Sequence, residues 1–104
     1  VEWLEKVENI FLEYLNDSRL NLEFVADKLF LSSRQLNRRL KQLTGLSPNQ
    51  YLREIRLTKA RDYFELGKYN TVKETCYAVG FSDVKYFTKI FRERFGMNPS
   101  KSFS

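Results

Sequence analysis

Two stretches of this chain carry nearly the same pattern. LEFVADKLFLSSRQLNRRLKQLTGLSPNQYL, residues 22–52, returns in altered form as VKETCYAVGFSDVKYFTKIFRERFGMNPSKSF, residues 72–103. The offset is 50 residues before a turn and 51 after it. Leu22 pairs with Val72, Val25 with Thr75, Ala26 with Cys76, Leu29 with Val79, Leu31 with Phe81 and Ser32 with Ser82. Past one extra residue, Gln35 pairs with Tyr86, Leu36 with Phe87, Leu40 with Phe91, Lys41 with Arg92, Gly45 with Gly96 and Pro48 with Pro99. Two unrelated amphipathic helices can match in their apolar positions by chance, but they do not also share Gly and Pro at one interval. The chain therefore holds an internal repeat. Each copy reads as a short helix, a tight turn, a longer basic helix, then Gly and Pro, which is the pattern of a helix-turn-helix.

The patterning predicts an all-α fold of seven helices, two helix-turn-helix subdomains joined by a long linker helix. The expected division is residues 1–46 for the first subdomain, 47–66 for the linker and 67–104 for the second. Helix one is expected from Glu2 to Leu15, with Leu4, Val7, Ile10, Phe11, Tyr14 and Leu15 at helical spacing. Asn21 and Thr71 stand where N-caps are needed, with Glu74 placed to complete a capping box, and Ser32 with Gln35 offers another. Ser47, Pro48 and Gln50 open the linker helix, and Asn98 with Pro99 repeats that start for a short seventh helix. Gly45, Gly67 and Gly96 fall just past helix ends. No alternating run is long enough for a strand.

The linker helix, about Pro48 to Leu66, spreads Leu52, Ile55, Leu57, Ala60, Tyr63, Phe64 and Leu66 over more than half its circumference, leaving Glu54, Thr58, Arg61, Asp62 and Glu65 for water. Such a broad stripe suits a helix that touches both repeats. At 1.5 Å per residue it would span about 28 Å, close to the roughly 34 Å between successive major-groove faces of B-DNA.

At 104 residues with 42% hydrophobic and 30% charged side chains, the chain can bury its own core. One Cys and no His leave no disulfide framework, no ordinary zinc site and no His-based catalysis. With no nucleophile–base pair, metal cluster or glycine-rich phosphate loop either, the expectation is no enzyme and no cofactor. No apolar run approaches the eighteen or so residues a membrane span needs, so no membrane insertion is expected of this segment, and the setting expected is a reducing cytoplasm.

Charge is segregated along the chain. Residues 1–31 hold three basic and seven acidic side chains, and residues 32–104 hold fifteen basic and six acidic, although the net charge is only +5. The positive field begins with the first long helix of the repeat, where Arg34, Arg38, Arg39 and Lys41 occur between Ser32 and Gly45 without an anion. One such helix can be a solvated face. Two at equivalent places in a repeat favour a polyanion, because each neutralised phosphate releases counterions. Double-stranded DNA is the expected partner, and a helical protein-interaction module without DNA binding is the alternative.

The run GFSDVKYFTKIFRERFGMNP, Gly80 to Pro99, resembles the signature of the AraC family of bacterial transcription regulators at Gly80, Phe81, Ser82, Tyr86, Phe87, Phe91, Arg92, Gly96 and Pro99. LSSRQLNRRLKQLTGLSPNQYL and IRLTKARDYF extend the resemblance over essentially the whole chain. Departures are Cys76 for the usual small residue, Glu93 for a frequent basic one, and Ser102–Phe103 where Tyr-Arg is common. The resemblance implies a seven-helix module with two helix-turn-helix units that binds DNA and controls transcription, with RNA polymerase subunits as further partners. It also implies an effector or receiver domain elsewhere in the full protein. The lack of an initial Met fits that expectation of a C-terminal piece of a longer regulator.

Helix geometry assigns the contacts. Leu36, Leu40 and Leu43 are expected in the core, which turns Arg34, Asn37, Arg38 and Lys41 outward. Arg34, Asn37 and Arg38 are candidates for base edges, Arg favouring guanine and Asn adenine, and Lys41 for phosphate. The resemblance adds weight to Arg34 and Arg38. In the second copy Tyr86, Phe87, Ile90 and Phe91 are expected in the core, leaving Val84, Lys85, Thr88 and Lys89 for bases and Arg92 for phosphate. Ser32, Ser47, Asn49, Ser82 and Lys101 complete the phosphate candidates, several of them at helix starts where free backbone amides favour anions. Asp83 dilutes the second copy's charge, so the first is expected to supply most of the base-specific grip. Cys76, opposite Ala26, is expected to be a small core residue.

Overall fold

A computed structural model describes residues 2–102, and side chains as far as Ser100. Six α-helices follow in order, α1 (Glu2–Glu13), α2 (Leu22–Lys28), α3 (Ser33–Thr44), α4 (Pro48–Leu66), α5 (Val72–Ala78) and α6 (Val84–Phe95). There is no strand among the described residues. The expected seventh helix is a 3-10 turn, Pro99–Ser102, whose four residues are the usual extent of that tighter geometry. The helix boundaries keep the two offsets of the repeat, 50 from α2 to α5 and 51 from α3 to α6.

The chain divides into two compact units, Val1–Ile55 and Arg56–Ser104, so α4 contributes to both. In the first, α1 packs on α2 and α2 on α3. Val7, Phe11, Leu15, Val25, Ala26, Leu36, Leu40 and Ile55 are buried there. α1 ends at Glu13, two residues earlier than expected. Beyond it the backbone turns back: Asp17 N–H donates to the Tyr14 carbonyl, and the Asp17 carboxylate accepts from the Arg19 amide at 2.9 Å and from its guanidinium at 2.7 Å. Short side chains that bond their own backbone compete with helix continuation in this way. Arg19 also holds the Asp17 carboxyl down at about 2, chiefly through those hydrogen bonds.

In the second unit α5 packs on α6, and α6 on the 3-10 turn. Its core is the aromatic version of the first: Leu36 and Leu40 are replaced by Phe87 and Phe91, all four at 0% exposure. Phe91 meets Phe64 edge to face at 5.4 Å, Phe87 at 5.7 Å and Phe95 at 4.8 Å. Such tilted pairs add to the area they bury. Thr75, buried where the first copy has Val25, spends its hydroxyl on the Thr71 carbonyl at 3.2 Å. Pro48 and Pro99 are both buried.

Three apolar side chains depart from the expected core. Leu43 is 46% exposed, Tyr86 45% and Leu66 78%. Leu43 and Tyr86 occupy positions where the other copy has Arg94 and Gln35, so both are surface positions of the repeat. Tyr86 keeps its ring edge to face with Phe81 at 6.3 Å, an arrangement that leaves its phenol in water. Conversely Glu54, Thr58, Arg61 and Asp62 of α4 are half-buried instead of fully exposed, and every residue from 54 to 64 is at least half-buried.

The turns explain how a single extra residue is absorbed. Each short helix ends in a Schellman motif. Leu31 N–H reaches the Ala26 carbonyl and Phe30 N–H that of Asp27; Phe81 N–H reaches Cys76 and Gly80 N–H reaches Tyr77. The residue that must turn left-handed is Gly80 in the second copy, with φ 95°, and Phe30 in the first, with φ 59°. The second turn then runs one residue further before its cap.

Candidate nucleic-acid interface

α3 begins with a full capping box. Ser32 Oγ accepts from Gln35 N–H at 3.1 Å, and Gln35 Oε1 accepts from Ser32 N–H at 2.8 Å. Two of the four orphan amides of the first turn are thereby satisfied, which stiffens the start of the helix. Gly45, left-handed at φ 77°, closes the other end. Leu36 and Leu40 are fully buried and set the inward direction. Arg34, Asn37, Arg38 and Lys41 are all exposed, as their register requires. Among the described residues no carboxylate pairs with Arg34, Arg38, Arg39 or Lys41, so the charge of α3 is not neutralised within the fold. Arg39, also exposed, stands over the Trp3 ring of α1, 4.4 Å from its centroid.

α6 repeats the frame with a different first residue. Its cap is Asp83, whose carboxylate accepts from Tyr86 N–H at 3.1 Å. Counted with the offset of 51, Asp83 takes the place of Ser32, while Ser82, exposed, lies one residue before that cap. An acidic cap stabilises the helix dipole but sets a negative charge at that end of the helix. Lys85 and Lys89 are exposed, and Val84 and Thr88 are half-buried. Arg92, exposed, donates to Asn98 Oδ1 at 3.5 Å.

The remaining candidates stand at helix starts. Ser47 and Gln50 form a second reciprocal box at 3.2 and 2.9 Å, with Ser47 half-buried and Asn49 exposed beside it. The cap bonds engage the Ser32 and Ser47 oxygens as acceptors, so each hydroxyl proton can still be donated. The Lys101 side chain lies outside the described residues. Within the first unit, then, Arg34, Asn37, Arg38 and Lys41 share one face. Within the second, Lys85 and Lys89 share one with Val84 and Thr88.

Guanidinium forks and a carboxamide on an exposed helix face can make bidentate hydrogen bonds to purine edges, and the exposed ammonium and hydroxyl groups can meet phosphate. Cys76 plays no part in this. It is fully buried, its Sγ lies 3.8 Å from the Phe81 carbonyl, and its pKa is pushed up to about 11, first by burial and then by the Asp83 charge. Among the described residues no cluster of His, Cys, Asp or Glu could hold a metal, and no helix is long and apolar enough to cross a membrane.

A helix-turn-helix domain family matches residues 25–103. The HTH-type transcriptional activator RhaS of Escherichia coli is 40% identical over 94 residues, which cover 88% of this chain and 34% of RhaS. The chain thus spans about a third of the length of the curated relatives it matches. Among solved structures, the DNA-binding domain of AdpA, crystallised in complex with a target DNA, is 30% identical with a TM-score of 0.80, covering 94% of this chain and 86% of that one. A transcriptional regulator of Chromobacterium violaceum with an AraC-type DNA-binding domain is 26% identical with a TM-score of 0.87, covering 96% and 88%.

Proposed function

The chain belongs to the AraC family of helix-turn-helix DNA-binding domains, and from that premise we propose that it binds double-stranded DNA sequence-specifically to regulate transcription. The observation that carries the reading is the basic face of α3, exposed, without a carboxylate partner among the described residues and mounted on a helix capped at both ends. The likeness to a domain solved on its target DNA supports it. Arg34, Asn37 and Arg38 contact base edges, and Val84, Lys85, Thr88 and Lys89 do so more weakly from α6. Ser32, Lys41, Ser47, Asn49, Ser82, Arg92 and Lys101 meet phosphates, which hold register without reading sequence. α4 acts as the mechanical link between residues 1–46 and 67–104, and the two second helices enter adjacent major-groove segments. RNA polymerase subunits, an effector or receiver domain of the full-length protein and a cytoplasmic setting complete the proposal, which assigns no catalytic role.

A mobility-shift titration against a pool of random duplexes at several salt concentrations tests it. The expected result is retarded DNA whose affinity falls steeply with salt, at close to one power of salt concentration per phosphate neutralised. Absent or salt-insensitive binding would leave the protein-interaction module as the better reading.

A further inference from the structure

α1 is the helix with the least reason to take part in DNA binding, since Glu2, Glu5, Glu8 and Glu13 outnumber its single cation, Lys6. Yet its half-buried Trp3 lies beneath the Arg39 guanidinium of α3, at 4.4 Å from carbon to ring centroid. That is well inside the roughly 6 Å over which a ring face attracts a cation. The indole neutralises nothing. Arg39 has no carboxylate partner among the described residues, and the ring contact orients it without an opposing charge. A guanidinium stacked on a ring still has its N–H donors at the edge of its plane, free to fork onto an anion.

The direction in which Arg39 is held gives the contact its meaning. Leu36 and Leu40, fully buried, mark the inward side of α3. At about 100° per residue, Arg34 and Arg38 lie opposite that side, and Lys41 and Arg39 stand about 160° apart around the axis, on its two flanks. A helix with its side chains is about 10–12 Å across and the major groove about 12 Å wide, so a seated helix brings one flank near each phosphate backbone. We propose that Arg39 is a phosphate ligand of the first reading helix, on the strand opposite the one Lys41 meets. Trp3 is the positioning residue that holds its guanidinium there. The sequence shows Arg39 only as one of four cations; its partner is 36 residues away and invisible to helix periodicity.

This inference rests on the DNA-binding reading of α3, and its test separates the two. The 104-residue chain and the variants Arg39→Ala, Trp3→Leu and the double variant are titrated by fluorescence anisotropy onto a labelled duplex recovered by selection and onto one of unrelated sequence, across a range of salt. Arg39→Ala should weaken both duplexes alike and reduce the salt slope by about 1. Trp3→Leu should weaken binding several-fold in the parent and add nothing in the Arg39→Ala background, because its only route to DNA is through Arg39. If Trp3→Leu does not fold by circular dichroism, Trp3→Phe, which keeps a ring, takes its place and should show the same dependence on Arg39 with a smaller loss. An unchanged salt slope in Arg39→Ala overturns the phosphate contact. An equal loss from the Trp3 variant in both backgrounds overturns the positioning role. Failure of the parent chain to bind any duplex overturns the reading beneath both.

Discussion

Phe30 should be replaceable by glycine with a gain in stability. It is the residue after the C-cap of α2 and holds φ at 59°, a left-handed geometry in which an L side chain costs about 1–2 kcal/mol. Its ring returns little, being 95% exposed, so truncation forfeits on the order of 0.1 kcal/mol of burial. Against the relief stands the extra freedom of glycine in the unfolded chain, about 0.5–1 kcal/mol. The balance is a stabilisation of about 0.5–1 kcal/mol for Phe30→Gly, or a Tm higher by about 2–8 °C. The repeat supplies the control. Gly80 occupies the same place in the second turn at φ 95°, so Gly80→Ala should lower Tm. Differential scanning calorimetry on the parent and both variants measures the two shifts. DNA affinity should stay level in Phe30→Gly, which leaves α3 and its cap bonds intact. A Tm for Phe30→Gly equal to or below the parent's, with its circular dichroism unchanged, would refute the strain argument.

Other outcomes follow from burial and register. Arg38→Ala should cost about 1–3 kcal/mol of binding concentrated at one base position, whereas Lys41→Ala should weaken all duplexes alike; an unchanged selected sequence for Arg38→Ala would remove it from the bases. Leu40→Ala, cutting a side chain at 0% exposure, should destabilise by about 2–5 kcal/mol in denaturant titrations, while Leu43→Ala, at 46% exposure, should cost well under half of that. Asp83→Ser gives α6 the cap that α3 has. It should raise DNA affinity by removing an anion, most visibly at low salt, and equal binding in both forms would show that no phosphate approaches that end. The Cys76 thiol, buried and with its pKa pushed up to about 11, should react with iodoacetamide at pH 8 only as fast as the second unit opens. Rapid stoichiometric alkylation of the folded chain would contradict its burial.

Much of this was legible from periodicity and from comparing the two copies. The helix pairs, the N-caps at Asn21, Ser32 and Thr71, and the buried pairs Leu36 with Phe87 and Leu40 with Phe91 agree with the pattern. The misplaced side chains are instructive, because the repeat already held the correction. Leu43 and Tyr86 sit opposite Arg94 and Gln35, and a position that takes Arg or Gln in one copy is a surface position, because those side chains are seldom buried. The same comparison sets Phe30 against Gly80, yet its left-handed backbone depends on hydrogen bonds that hydropathy does not encode. At the candidate site, register alone was enough to turn Arg34, Asn37, Arg38 and Lys41 outward. The contact of Arg39 with the Trp3 ring was out of reach, since it depends on how α1 meets α3 across a long sequence separation.

The central claim is that the two copies of one motif read DNA as a pair of unequal readers. Selection of bound duplexes from a random pool, followed by sequencing, tests it most directly. Two preferred blocks centred about one helical turn apart, the stronger one weakened by Arg38→Ala and the other by Lys89→Ala, are the predicted result. A single block insensitive to Lys89→Ala, or no enrichment at all, would contradict it.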